Sequence, residues 1–127
     1  MIPKYRAFYK ANQKMYEVLT LDIIDKKVLI EKNDNLEILL RGYAKMSEIE
    51  LMQSTGLKDK NGVEIFESDI IEVSKDFFNI IDYRLDDGCW RLKPLDGRWA
   101  CSYFSNYEEK NDWVVIGNIY ENKELLK

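Results

Sequence analysis

The chain has 127 residues, a mass of 15.1 kDa and a formal net charge of -4, from 23 acidic against 19 basic residues. That length suits one domain with a real apolar core, and 46% hydrophobic with 33% charged residues excludes a disordered segment. Interspersed charge and a pI near 5.0 argue against nucleic acid as a partner, since such binders carry a basic excess or stripe.

Histidine is absent, which removes the commonest general base, the commonest zinc ligand and every His-activated nucleophile. The expectation is a non-enzymatic chain without cofactor or metal. No apolar run approaches the ~18 residues that cross a bilayer, and Met1 to Arg6 contain no apolar leader segment. With only Cys89 and Cys101, the chain reads as a cytoplasmic protein with free thiols and no membrane partner.

In chain order, Tyr5 to Tyr9 reads as a strand and Lys10 to Gln13 as a turn. Met15 to Leu21 is a second strand, broken at Asp25-Lys26. Val28 to Ile30 and Leu36 to Leu40 flank the turn Asn33-Asp34-Asn35 and complete an antiparallel meander. Ser47 to Gln53 admits a capped helix start from Ser47 and Glu50, but Ile49 and Leu51 alternate with acids and favour a strand.

Asn61-Gly62 marks a tight hairpin turn before a short strand Val63 to Phe66. Ser68-Asp69 then makes a bend, and Ile70 to Val73 starts the next strand. Asp96-Gly97 predicts a two-residue hairpin loop between Cys89–Leu95 and Arg98–Phe104. That register sets Trp90 opposite Tyr103, Leu92 opposite Cys101 and Pro94 opposite Trp99 on one apolar face, and leaves Cys89 facing away from Cys101. Trp113 to Ile116 is the last strand, followed by a short helical turn at Lys123–Leu126 capped by Asn122.

The elements predict a mainly β, single-domain chain over 1–127. Its lobes would be a meander over 1–55 packed on a unit over 56–127, with a small SH3-like barrel from about Gly62 to Ile119.

Asp59, Glu67 and Asp69 are the one carboxylate cluster with chemical interest, as a Mg²⁺ site or acid–base pair. Their spacing matches no metal loop. The plainer role, with Asp59 nucleating a turn and Asp69 accepting backbone hydrogen bonds at a bend, is the better fit. Gly56 and Gly62 match neither glycine-rich phosphate pattern. Tyr83, Trp90, Trp99 and Tyr103 could form a base-stacking platform, the basis of an alternative reading as a single-stranded nucleic-acid-binding small barrel. Aromatics on an inward face are more often core.

The stretch Gln53 to Ile71 is similar to the signature of the YopX family, roughly Q-Y-T-G-L-K-D-K-N-G-K-E-I-Y-E-G-D-I-V. Gln53, Thr55, Gly56, Asp59, Asn61, Gly62, Glu67 and Asp69 fall on that pattern. Tyr5-Arg6-Ala7-Phe8 resembles the family's opening F-R-A-W, and Val115 to Asn122, with Gly117 and Asn118, resembles its closing V-I-G-N-I-Y-E-N. Ser68 stands where the family has Gly. If that glycine has positive φ, serine costs on the order of 1 kcal/mol.

The resemblance implies a phage- or prophage-encoded accessory protein that self-associates, with no catalytic residue to carry over. Consecutive apolar residues in strands, such as Ile38 to Leu40 and Phe77-Phe78, must put some apolar surface outward when the pleat alternates. The partners expected are therefore a second copy of the chain and an unidentified host or phage protein.

Overall fold

A computed structural model describes residues 4–33, 39–84, 89–95, 102–103 and 112–126. The fold is all-β, with two antiparallel sheets and no α-helix among the described residues. The strands are β1 (Tyr5–Tyr9), β2 (Lys14–Asp22), β3 (Lys27–Asn33), β4 (Leu39–Lys45), β5 (Ile49–Lys58), β6 (Glu64–Phe66), β7 (Asp69–Ser74), β8 (Phe77–Arg84), β9 (Cys89–Pro94), β10 (Ser102–Tyr103) and β11 (Val114–Asn118). Short 3-10 turns occupy Met46–Glu48 and Lys123–Leu126. One sheet has six strands in the order β4-β3-β2-β1-β5-β6, and the other has five in the order β10-β9-β8-β7-β11.

The chain divides into two compact units, Met1–Gln53 and Ser54–Lys127, each with its own core. In the first, Ala7, Tyr16, Val28, Ile30, Ala44 and Ile49 are buried together. They share a face because pairing sets Ala7 opposite Tyr16 and Val28 opposite Ala44. The turns joining these strands are built by short polar side chains. Asn12 Oδ1 accepts the Lys14 N–H at 3.2 Å, and Asp22 Oδ1 accepts the Asp25 N–H at 2.9 Å. Gln13 and Lys26 supply the positive φ that each turn needs.

The second unit buries Ile65, Ile71, Ile81, Leu92 and Trp113. Its meander β7-β8-β9-β10 is joined by β11, which returns beside β7.

Four local expectations change. The strand expected at Leu36–Leu40 is β4, which runs on to Lys45 in unbroken register with β3; residues 34–38 lie outside the described residues. Cross-strand pairing overrides the weak strand preference of Gly42 and the charges at Arg41 and Lys45. The strand expected at Ser47–Gln53 starts at Ile49, since Ser47 belongs to a 3-10 turn closed by the Lys45 N–H donating to Glu48 Oε1 at 2.8 Å. It continues through Gly56 to Lys58, because the register with β6 shifts between Ser54 and Lys58 and Gly56 adopts a φ of 81°.

The β9/β10 register is one residue from the expected one: Ser102 faces Leu92 and Tyr103 faces Arg91. Unbroken pairing through a two-residue loop does not produce this register. Asp96-Gly97, Trp99 and Cys101 lie outside the described residues, and so does the expected Cys89/Cys101 relation. The alternation along β9 stands as expected, with Leu92 and Pro94 buried and Lys93 exposed. Finally, Asn122 does not cap the last 3-10 turn with its side chain, because its Oδ1 accepts the Asn118 N–H at 3.0 Å.

Candidate functional site

The central motif begins with three residues on β5, the strand that pairs with β6. Ser54 Oγ accepts the Gly56 N–H at 3.0 Å. Thr55 Oγ1 donates to the Ile65 carbonyl at 2.8 Å and accepts the Leu57 N–H at 3.1 Å. Each bond serves a backbone group that the register shift would otherwise strand. Gln53 pairs with Tyr5 of β1 and ends the first unit.

Asp59 is the hub of the loop that follows. The Gly62 N–H donates to the Asp59 carbonyl at 3.0 Å, and the Asp59 N–H to the Val63 carbonyl at 2.8 Å. Gly62 takes a φ of 81°, while Asn61 does not enter the left-handed region. This is a three-residue loop with a glycine bulge, in place of the two-residue turn that Asn61-Gly62 suggests. Asp59 is only 6% exposed, and its carboxylate accepts three backbone N–H groups. Oδ1 takes those of Asn61 at 2.8 Å and Val63 at 2.9 Å. Oδ2 takes that of Val115, on β11, at 2.9 Å. Burial pushes its pKa up, but the N–H groups of Val115, Val63 and Asn61, with Lys60 nearby, more than offset this and hold it below the ordinary 3.8.

The second cluster grips the far end of β11. Asp69, 1% exposed, accepts the Phe66 N–H on Oδ2 at 2.8 Å, and its backbone pairs with Asn118. Ser68, just before it, has a φ of 73°, donates its N–H to the Ile81 carbonyl at 2.8 Å and accepts the Ile119 N–H at 3.1 Å. The backbone at the family's glycine position is therefore left-handed here with a serine in place. Glu67 sits half-buried in the same bend.

Asn118 Oδ1 accepts the N–H groups of Tyr120 at 3.0 Å and Glu121 at 2.8 Å, and its Nδ2 donates to Glu121 Oε1 at 2.9 Å. A Cβ at Gly117 would lie 2.4 Å from Asn122 Oδ1, so glycine is what lets the Asn122 side chain reach back to the Asn118 N–H.

Asp59, Ser68, Asp69 and Asn118 thus fasten β11. Asp59 holds its start, and Ser68, Asp69 and Asn118 hold its end. The expected roles of Asp59 and Asp69 as backbone acceptors are seen directly. Among the described residues no three His, Cys, Asp or Glu side chains form a group able to hold a metal ion. Tyr83 and Trp90 of the proposed aromatic platform face each other across β8 and β9, edge to face with centroids 5.0 Å apart.

The sequence reading gave Asn122 another role, as the cap of the last turn, and passed over Asn79. Asn122 has its signal in the Gly117-Asn118 pair four residues earlier, a spacing suited to a local side-chain clamp. Asn79 on β8 has none. It is 1% exposed, and among the described residues neither of its side-chain amide atoms has a hydrogen-bond partner.

The fold and these clamps define an all-β protein whose motif is a backbone-fastening framework. The chain belongs to the YopX protein family, whose model matches residues 4–127. A crystal structure of protein EF1440 from Enterococcus faecalis is 32% identical, with a TM-score of 0.65 over 100% of this chain and 99% of that one. The crystal structure of YopX from Bacillus subtilis shares the fold at 16% identity, with a TM-score of 0.55 over 98% of each chain. No curated protein matches the chain.

Proposed function

We propose that the chain is a non-enzymatic accessory protein of phage or prophage origin, acting in the bacterial cytoplasm through protein–protein contact and self-assembly. The observation that carries this reading is the turn between β2 and β3, where Ile23 and Ile24 are 79% and 91% exposed side by side. Tyr43, 65% exposed, stands beside them, and with Thr20, Asp22 and Lys27 the three border a shallow groove. Single exposed apolar residues are ordinary, but adjacent isoleucines at a hairpin tip next to an exposed tyrosine form a patch suited to contact. The polar motif supports the same reading, because Asp59 and Asn118 satisfy backbone groups of their own chain.

The second unit is read as closing into a small SH3-like barrel, on the support of its strand order.

Sedimentation velocity over a concentration series tests the proposal. Wild type is expected to sediment as an assembly, and a variant carrying Ile23→Asp with Ile24→Asp as a smaller species with unchanged circular dichroism. Identical sedimentation of a folded double variant and wild type would remove the patch from the argument. A wild-type monomer across the series would defeat self-assembly itself.

A further inference from the structure

Resting on the self-assembly reading, we propose that β4 is the assembly edge and that it pairs antiparallel with β4 of a second copy about a two-fold axis at Gly42. The sheet edges differ in how they are protected. β6 has three residues, β10 has two among the described residues, and β11 is broken by a register shift between Val115 and Gly117. Short or bulged edges resist pairing with another chain. β4 is the exception: its seven residues stay in unbroken register with β3, and its other side is an end of the sheet.

Gly42 is the second observation. It lies at the middle of β4, its φ is outside the left-handed region, and an added Cβ would meet nothing within 4 Å. Among the described residues nothing requires glycine here, and glycine weakens a strand interior. An unexplained strand glycine marks a place where another backbone comes close. Beside it opens a hollow lined by Tyr9, Tyr16, Ile30, Arg41, Tyr43 and Ala44.

The charges choose a second copy and the register. Centring the axis on Gly42 pairs all seven residues of β4 and sets Arg41 opposite the second copy's Tyr43, twice, an arrangement that suits a cation over a ring. Centring it one residue later would put Arg41 against Lys45 twice, and like charges directly opposite destabilise. Arg41 is already held by Glu31 at 2.6 Å, which removes the bare charge that usually guards an edge. Antiparallel pairing of one strand with itself is self-complementary, as a closed two-fold interface requires.

The test is Gly42→Lys, whose Cβ meets nothing in the monomer and which sets two lysines face to face at the axis. Light scattering behind a sizing column should give wild type an even multiple of the 15.1 kDa chain mass, and the variant half that mass or less. A folded variant with the wild-type mass overturns the β4 pairing and leaves self-assembly standing. A wild-type mass of one chain overturns both. Hydrogen exchange on wild type decides the matter if the variant does not fold. The β4 amides that point away from β3 should exchange at least about tenfold more slowly in the assembly than after dilution to monomer. Equal rates at those amides overturn the pairing.

Discussion

Asp59→Asn removes one of the three hydrogen bonds made by the Asp59 carboxylate and turns the other two into neutral ones. The asparagine carbonyl can keep the Asn61 and Val63 N–H groups that Oδ1 now holds, but its NH₂ would face the Val115 N–H as donor against donor. A hydrogen bond to a charged group contributes about 1.5–3 kcal/mol, and turning the other two into neutral bonds removes roughly 1 kcal/mol more. The expected loss is therefore about 2.5–4 kcal/mol. For a chain of this size that lowers Tm by on the order of 3–5 °C per kcal/mol. Urea unfolding followed by tryptophan fluorescence at neutral pH measures it, since Trp90, Trp99 and Trp113 all belong to the second unit. The folded-state pKa of Asp59 is lowered, so its stabilisation is fully present above the unfolded-state value and is lost as pH falls through the folded one. The gap between wild type and variant should accordingly close on acidification below about pH 4. A variant within about 0.5 kcal/mol of wild type at neutral pH would refute the clamp.

Other substitutions probe the rest of the framework. Ser68→Gly should stabilise the second unit by about 0.5–1 kcal/mol, because glycine tolerates the φ of 73°; unchanged or reduced stability in urea would count against strain at the bend. Gly117→Ala should cost about 1–3 kcal/mol by displacing the Asn122 side chain, and combining it with Asn122→Ala should cost little more than Asn122→Ala alone. Strict additivity in that double-mutant cycle would separate the two residues. Asn79→Leu should raise stability by at least about 1 kcal/mol, as it replaces an unpartnered buried amide with an apolar side chain; a clear loss would mean the amide is satisfied in solution.

Local chemistry made much of this fold readable. Tyr5–Tyr9 is the strand its aromatic run suggests, and Gln13 and Lys26 sit in the turns that polar breakers mark. Asp59 was readable as a turn former because its bonds to Asn61 and Val63 span two and four residues. Its bond to Val115 was not, because that partner is 56 residues away and only the completed sheet brings it close. The same limit hid the course of β4 and β5. Gly42 and Gly56 look like breakers, yet pairing with β3 carries the strand past the first and a register shift absorbs the second. The hairpin register failed for a different reason. Asp96-Gly97 is a strong turn signal, but a shift of one residue changes which side chains oppose, and Ser102 stands in the place expected for Cys101. Asn79 follows an apolar pair and precedes another, so nothing in its neighbours announces a buried amide.

In the function proposed above, this chain joins other copies of itself and the motif holds β11 in place. Light scattering behind a sizing column at micromolar concentration tests it most directly. A monodisperse peak at an even multiple of 15.1 kDa is expected, and a monodisperse peak at 15.1 kDa would overturn self-assembly.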